Sequence, residues 1–352
     1  MKKLLNVLYI TSQGAFLSLE GETIVVSVKG EKVGQIPLLN LQGIVCFGNV
    51  LCTPFLMGAC ADHGVSISFL TANGRFLARV QGGVTGNVLL RRSQFLVSEE
   101  PSRRSRIASM FLFAKVLNSR TNIQRFLRDY EDVCDEQTRC KLEYAVKVMK
   151  RTAGAIEANM STEDFIPIEE LMGLEGATAN LYFSCFPALI LKQKESFTFR
   201  GRTRHPPLDK VNALLSFAYT LLAHDCVGAL ESVGLDPQFG FLHSLRPGRP
   251  ALALDLMEEF RASLADRLVL SLINRFQINA ADFKTTETGA VRMNEESRKT
   301  LIEAWQERKQ EEIVHPFLKE KMKIGLLPYA QALILARHLR GDIEDYPPFI
   351  SR

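Results

Sequence analysis

Three short segments of this sequence carry carboxylate or imidazole side chains in settings that suit metal chemistry. Glu175 lies in M-G-L-E-G-A, and His243 follows F-G-F-L. Asp255, Glu258 and Glu259 fall within L-A-L-D-L-M-E-E-F-R. Carboxylates mixed with imidazole suit Mg²⁺ or Mn²⁺, which polarises a phosphodiester and activates an attacking hydroxyl. Each segment also has a plainer interpretation: an exposed glutamate, a hydrogen-bonded histidine, and the solvated face of an amphipathic helix.

Basic side chains are unevenly distributed along the chain. The net charge is +4, and residues 1–95 contain eight Lys or Arg against four Asp or Glu, so the whole excess lies there. Clusters of this kind favour contact with phosphates, although solvated surface arginines are the commoner explanation. Arg91 and Arg92 close this stretch, and Arg246 and Arg249 would put positive charge near any phosphate bound beside His243.

Several common classes of enzyme lack support in the sequence. There is no G-x-x-x-x-G-K-[ST], G-x-G-x-x-G, G-x-S-x-G or H-E-x-x-H motif. The seven cysteines include no C-x-x-C pair, so neither a disulfide framework nor a thiolate zinc site is indicated, and we predict a cytoplasmic protein. The longest nearly apolar runs, 181–191 and 324–336, contain a proline and are too short to span a membrane.

The residues that precede these segments predict a small β domain. Short β-rich runs alternate with turn signals up to residue 96, and the strand candidates are Thr23–Val28, Val33–Leu38, Ile44–Val45, Ser66–Leu70 and Arg75–Val80. Lys29-Gly30 and Asn73-Gly74 are predicted to form tight hairpin turns, and Pro54–His63 a helix.

After Pro101 the pattern changes to helices. Ile107, Met110, Phe111, Ala114 and Leu117 recur at helical spacing. Asp209 can cap a helix that ends near Gly234, and a further helix should run from Pro250 to Leu270. If that helix forms, its carboxylates share one side, within about 100° of arc. We therefore predict an α+β chain with a β domain over 1–96, a linker over 97–106 and an all-helical catalytic domain over 107–352. The latter ends in an extended, proline-bearing tail.

The chain resembles the CRISPR-associated integrase and nuclease family that captures new spacers. The resemblance covers nearly the whole chain and rests on the joint order of five segments. They are G-N-V-L-L-R-R-S-Q-F, L-M-G-L-E-G-A with the pair Tyr182 and Phe183, the run Arg202–Leu222, G-F-L-H and D-L-M-E-E-F-R.

This resemblance implies an N-terminal β-sandwich that builds a homodimer and an all-helical catalytic domain. Glu175, His243 and Glu258 would hold Mg²⁺ or Mn²⁺, with Asp255 as a supporting acid. The arginines that would contact DNA phosphates are Arg91, Arg92, Arg202, Arg204, Arg246 and Arg249. The reaction would be a transesterification in which the 3′-hydroxyl of a captured DNA fragment attacks a phosphodiester at the edge of the CRISPR repeat.

The partners implied by the resemblance are double-stranded DNA, a small ferredoxin-like companion subunit and, in type I-C-like systems, an iron–sulfur nuclease. Two other functions remain open on the sequence: a catalytically silent DNA-binding scaffold of the same fold, and an unrelated metal-dependent phosphodiesterase.

Overall fold

The computed structural model divides the chain into two compact units, Met1–Gly86 and Asn87–Arg352. It describes residues 7–41, 43–72, 76–80, 82, 88–130, 134–160, 162, 164–204 and 206–351. The predicted turn at Asn73-Gly74 lies outside the described residues.

In its described residues, the first unit contains two four-stranded sheets and one α-helix. One sheet has the order β1-β5-β7-β8, and the other has the order β4-β3-β2-β6. In chain order these elements are β1 (Val7–Ile10), β2 (Ala15–Glu20), β3 (Thr23–Val28), β4 (Glu31–Pro37), β5 (Gly43–Phe47), β6 (Val50–Cys52), α1 (Pro54–Asp62), β7 (Ser66–Leu70) and β8 (Phe76–Val80).

Alternating apolar residues place one core between the two sheets. Ile10 and Ile44 enter it from one sheet, and Leu17 and Ile24 enter from the other. The β3–β4 hairpin turns at Lys29-Gly30, where φ is 52° and 85°, which confirms the predicted turn. Strand β2 was absent from the sequence prediction, although its residues alternate between core and surface.

The second unit is mostly helical. In chain order its helices are α2 (Val88–Glu99), α3 (Pro101–Asp129), α4 (Glu136–Met160), α5 (Ile168–Leu189), α6 (Lys210–Ser232), α7 (Ala251–Glu258), α8 (Arg267–Asn274), α9 (Glu295–Gln310) and α10 (Leu327–Arg340). It also contains two small hairpins, so it is not all-helical as predicted: β9 (Phe283–Thr285) pairs with β10 (Val291–Met293), and β11 (Glu312–Val314) with β12 (Lys321–Lys323).

The border between the units lies before the predicted boundary at residue 96. Residues 97–106, predicted as a linker, instead belong to the end of α2 and the start of α3. Helix α2 joins the helical unit because Gln94 is buried and donates to the carbonyl oxygens of Asp236 and Phe239, both at 2.8 Å. The basic pair Arg91 and Arg92 therefore lies on a helix of the second unit.

Helix α6 forms part of the core of the second unit. Asp209 caps it by accepting a hydrogen bond from the backbone of Asn212 at 2.7 Å, as predicted, and Gly234 follows its end with a φ of 87°. By length and composition α6 could cross a membrane, but 61% of its most apolar window is buried inside the protein. Burial of this kind is typical of a core helix.

The predicted helix from Pro250 to Leu270 is interrupted. Helix α7 ends at Glu258, and residues 261–266 form a π-helical segment before α8 continues the chain. A π-helical turn inserts an extra residue per turn and is frequent at functional sites. Asp255, Glu258 and Glu259 are all at most 1% exposed, so the solvated-face interpretation of this helix is wrong.

Candidate metal centre

Four elements of the helical unit bring the predicted ligands together. Glu175 lies on α5, Glu258 is the last residue of α7, and His243 lies in the loop between α6 and α7. Both carboxylates pair with the ammonium of Lys115 on α3. His243 Nε2 lies 3.9 Å from Glu258 Oε1. The three side chains thus meet within one group, which we call the metal-side cluster: Lys115, Glu175, His243, Asp255, Glu258 and Arg261.

Glu258 is a buried acid of this cluster, 1% exposed, that faces several positively charged groups. Burial opposes its ionisation, but the charges of Arg261, Lys115 and His243 together lower its pKa to about 2. Its Oε1 lies 3.1 Å from Arg261 Nη2, and its Oε2 lies 2.8 Å from Lys115 Nζ. Glu258 is therefore a fixed carboxylate that stays ionised at neutral pH.

Asp255 orients the imidazole of His243. Its Oδ1 accepts a hydrogen bond from the backbone of His243 and lies 2.6 Å from His243 Nδ1. A carboxylate at Nδ1 favours the tautomer that carries its proton there, which leaves the Nε2 lone pair free for a ligand. Asp255 Oδ2 also accepts from the backbones of Phe241 and Leu242, at 2.6 and 3.0 Å. These four contacts fix the loop as well as the ring.

Gly240 permits this close approach of the loop to α7. A Cβ at residue 240 would lie 2.7 Å from Asp255 Oδ2 and from the backbone of Ala251. By contrast, a Cβ at Gly173 or Gly176 would meet nothing within 4 Å. Close packing within the described chain therefore does not require glycine at either position, and the Glu175 side chain itself is 25% exposed.

Sequence reasoning missed Lys115. It is 7% exposed, in the middle of a helix, and shares a face with the buried Asn118 and Asn122. The spacing K-x-x-N-x-x-x-N repeats polar residues at i, i+3 and i+7 on a helix whose other buried side chains are apolar or serine, and this signal could have revealed a polar site.

The donor set fits a hard divalent cation. Glu258 Oε2 is buried and makes no hydrogen bond of ordinary geometry within the described chain, although Lys115 Nζ lies close to it. A cation already stands between the two carboxylates, in the form of the Lys115 ammonium. As the side chains stand, no three His, Cys, Asp or Glu residues in the described part of the chain are arranged to hold a metal, because Lys115 occupies the space between Glu175 and Glu258.

The arginines predicted to bind DNA fall into distinct environments. Arg92, Arg204 and Arg246 are exposed, while Arg91 and Arg249 are half-buried. Burial and then the charge of Arg246 lower the pKa of Arg249, and Arg204 and Arg261 contribute in the same direction. Arg204, Arg246 and Arg261 therefore each lie near enough to Arg249 to disfavour its charge, and Arg249 is surrounded by positive charge that favours an anion.

Arg202 differs from the other five. Its guanidinium donates to Asn212 Oδ1 at 2.6 Å and to Ser216 Oγ at 3.1 Å, and its Cζ lies 5.2 Å from the ring centroid of Tyr219. These internal contacts tie the 199–204 segment to α6. Its side chain therefore has a structural use that the sequence did not reveal.

A second carboxylate site lies directly behind the first. Glu259 accepts hydrogen bonds from Tyr346 Oη, Gln331 Nε2 (2.9 Å) and the backbone of Phe349 (2.7 Å). Asn118 donates to the carbonyl oxygens of Glu259 and Phe349. We call Asn118, Glu259, Gln331, Tyr346 and Phe349 the tail-side cluster. The predicted tail is extended, but it inserts Tyr346 and Phe349 into the core, each 1% exposed.

Known structures share this fold. A CAS1 protein from Thermotoga maritima has a TM-score of 0.78 at 23% identity, over 99% of this chain and 100% of that chain. At this identity the likeness establishes the arrangement of a β-rich N-terminal region with two sheets and a mostly helical C-terminal domain.

The sequence comparisons establish the family. The family described as "CRISPR associated protein Cas1" matches residues 8–307. The CRISPR-associated endonuclease Cas1 1 of Chlorobaculum tepidum is 52% identical over 352 residues, covering 100% of both chains. The Cas1 2 endonuclease of Rhodospirillum rubrum is 50% identical over 349 residues, covering 99% of both. The chain therefore belongs to the Cas1 family, the endonucleases and integrases of CRISPR adaptation.

Two further matches concern assemblies. A solved "Cas6-RT-Cas1--Cas2 complex" contains a chain with a TM-score of 0.80 at 22% identity, over 99% of this chain and 36% of that chain. A Cas4 exonuclease/Cas1 endonuclease fusion from Geobacter sulfurreducens is 33% identical over 349 residues, covering 98% of this chain and 60% of the fusion. Structural relatives thus assemble with Cas2, and some sequence relatives are fused to Cas4.

Proposed function

We propose that Glu175, His243 and Glu258 hold Mg²⁺ or Mn²⁺ and that this centre joins captured DNA to a CRISPR repeat by transesterification. The observation that carries the proposal is the convergence of two carboxylates and an imidazole Nε2 beside a surface of exposed arginines. When bound, the ion would polarise the scissile phosphodiester and stabilise the charge that develops on it.

The remaining residues of the centre have positioning roles in this proposal. Asp255 fixes the His243 ring so that Nε2 faces the ligand site. Arg261 pairs with Glu258 at 3.1 Å and keeps that carboxylate ionised. Because one phosphodiester replaces another, the reaction needs no nucleotide, which agrees with the absence of a P-loop motif.

The DNA contacts are divided by environment. Arg204 and Arg246 both lie near Arg249, and these three would bind the phosphates next to the metal, while Arg91 and Arg92 on α2 would form outer contacts. Arg202, which we also predicted to bind DNA, would act mainly by holding its segment against α6. Binding should weaken steeply with salt, since phosphate contacts release counterions.

The proposed partners follow from the family. We propose a homodimer built through the β unit, an assembly with a small ferredoxin-like subunit, and double-stranded DNA, both captured fragment and repeat, as substrate. The complex that contains Cas2 supports the companion subunit, and the Cas4 fusion supports a nuclease partner. An iron–sulfur cluster in that nuclease, a type I-C-like system and a cytoplasmic location complete the proposal.

The test is Mn²⁺-dependent strand transfer, and its reversal, on a branched DNA. An integrase should reverse the joining reaction, a hydrolase should only cut, and a silent scaffold should do neither. Glu175→Gln and His243→Ala should abolish both directions, whereas Glu170→Gln, an exposed glutamate on the same helix as Glu175, should retain them. Each variant must first give a wild-type circular dichroism spectrum. Equal activity in His243→Ala and the wild type would show that the ligand assignment is wrong.

A further inference from the structure

Lys115 is the residue of the metal-side cluster that has no role in the proposed function. Its ammonium pairs with Glu175 Oε1 and lies 2.8 Å from Glu258 Oε2, and its side chain is 9% exposed. A buried lysine costs free energy unless it is paired, and here both partners are proposed metal ligands. Its position in the interior of α3, which packs against both α5 and α7, fixes its Cα beside them.

The ammonium of Lys115 and a divalent metal ion would compete for the carboxylates of Glu175 and Glu258. The ammonium neutralises Glu175 and Glu258 where they face each other, which keeps them close without a metal. A divalent ion placed between the same oxygens would meet the ammonium at a few ångströms, where two positive charges repel strongly in a partly buried site. Close contact of both cations with the same two oxygens is therefore unfavourable.

We propose that Lys115 is a displaceable counter-ion of the metal centre. In the metal-free protein its ammonium holds Glu175 and Glu258 together, and it leaves these oxygens when the divalent ion binds. The lysine stem is long and flexible, so the ammonium can move while α3 stays in place. This inference rests on the proposed function, because it assumes that Glu175 and Glu258 bind metal.

Lys115→Met keeps roughly the length of the side chain and removes its charge. It should lower the stability of the metal-free protein and raise its affinity for Mn²⁺. In Lys115→Met the metal-free protein loses the pairing of both carboxylates, so its melting temperature should fall. Mn²⁺ should bind more tightly, by about tenfold, because no ammonium has to be displaced. If Lys115 only supported the fold, the same substitution should weaken Mn²⁺ binding, since a loosened site binds metal more weakly.

Isothermal titration calorimetry with MnCl₂ on the full-length protein, without DNA, measures this effect. Lys309→Met is the matched control. Lys309 is also buried, at 5%, and pairs with Asp225 at 2.9 Å away from the proposed ligands. It should lower the melting temperature and leave the Mn²⁺ affinity unchanged. Lys115→Arg keeps the charge and should bind Mn²⁺ no more tightly than the wild type.

A second measurement needs no substitution and covers the case in which Lys115→Met does not fold. Acetylation of the wild type with acetic anhydride, read by mass spectrometry, should increase at Lys115 when Mn²⁺ is added, because the ammonium is released. Lys309 should stay protected under both conditions. A Lys115 that is equally protected with and without Mn²⁺ would overturn the displacement.

The outcomes separate the two proposals. If Glu175→Gln leaves Mn²⁺ binding unchanged, the ion binds elsewhere and both proposals fail. If Glu175→Gln abolishes binding while Lys115→Met binds Mn²⁺ as the wild type does or more weakly, the metal centre stands and the role of Lys115 is wrong. Tighter binding in Lys115→Met, with unchanged affinity in Lys309→Met, supports the displaceable counter-ion.

Discussion

Glu258 and Glu259 are adjacent, and their side chains are equally buried, yet they have opposite electrostatic environments. Glu258 faces Arg261, Lys115 and His243, which lower its pKa to about 2 against the effect of burial. Burial raises the pKa of Glu259 to about 8, because its partners are neutral donors whose hydrogen bonds offset only part of that cost. The chain turns out of α7 between them, so the two carboxylates point into different clusters.

This difference teaches that burial does not by itself identify a functional acid. The charge of the neighbours decides whether a buried carboxylate stays ionised and can bind a cation. The metal-side cluster contains several positively charged side chains, and its Glu175 side chain is 25% exposed. In the tail-side cluster, hydrogen-bond donors surround the Glu259 carboxyl group, and the rings of Tyr346 and Phe349 pack against other aromatic rings. Four predictions test this distinction.

Replacing each glutamate in turn by glutamine should give the largest contrast in activity. Glu258→Gln should lower Mn²⁺-dependent strand transfer by at least about a thousandfold, equivalent to about 4 kcal/mol, because a metal ligand is lost. Glu259→Gln should keep activity within about tenfold, since it changes only the tail-side cluster. Single-turnover rates at saturating Mn²⁺ measure both, and similar losses in the two variants would remove the distinction.

The orientation of His243 should matter less than the ligands themselves. In Asp255→Asn a neutral amide replaces the carboxylate that accepts the hydrogen bond from His243 Nδ1. The hydrogen bonds from the backbone of residues 241–243 to this side chain are weakened as well. We expect Mn²⁺ affinity to fall by about 10- to 100-fold, the usual effect of losing the carboxylate behind a histidine ligand. Calorimetry at two temperatures below the melting transition separates this loss from unfolding. An unchanged affinity would mean that His243 needs no such support.

The tail-side cluster should show its effect in stability. In Glu259→Gln one side-chain oxygen becomes an amide nitrogen, which faces either the hydroxyl of Tyr346 or the two donors from Gln331 and Phe349, so the free energy of unfolding should fall by about 1–3 kcal/mol. The tail should also exchange its amide hydrogens faster near Phe349. Tail exchange equal to that of the wild type would show that Glu259 does not anchor this segment.

The sequence predicted the fold class because its signals are local. Alternation in 23–28 and the turn at Lys29-Gly30 specify a hairpin, and Asp209 specifies the start of a helix. It could not place the domain boundary, because the contacts of Gln94 join residues far apart in the chain. Nor could it distinguish Glu258 from Glu259, since a π-helical turn and a tail from the end of the chain decide their surroundings. The grouping of Glu175, His243 and Glu258 came from resemblance to a family, and Lys115 was missed.

Asp266 offers the finest test of the balance between burial and neighbouring charge. It lies at the end of the π-helical segment and accepts a hydrogen bond from Tyr219 Oη at 2.6 Å. Burial raises its pKa from 3.8 to about 6, although Tyr219, Tyr182 and Arg261 oppose the shift. The folded state therefore holds this proton more tightly than the unfolded chain. The resulting stabilisation is present below pH 3.8 and is lost as the pH rises to about 6.

Asp266→Asn lacks this titration while keeping an acceptor for Tyr219. Between pH 5 and 7 the wild type should lose about 1 kcal/mol of unfolding free energy relative to the variant, and the two should run parallel at higher pH. Urea unfolding at half-unit pH steps measures the difference in unfolding free energy between the wild type and Asp266→Asn. Titrations of other groups, which both proteins share, cancel in this difference. A constant difference across this range would mean that Asp266 is ionised throughout, and that the charge of Arg261 outweighs burial here as it does at Glu258.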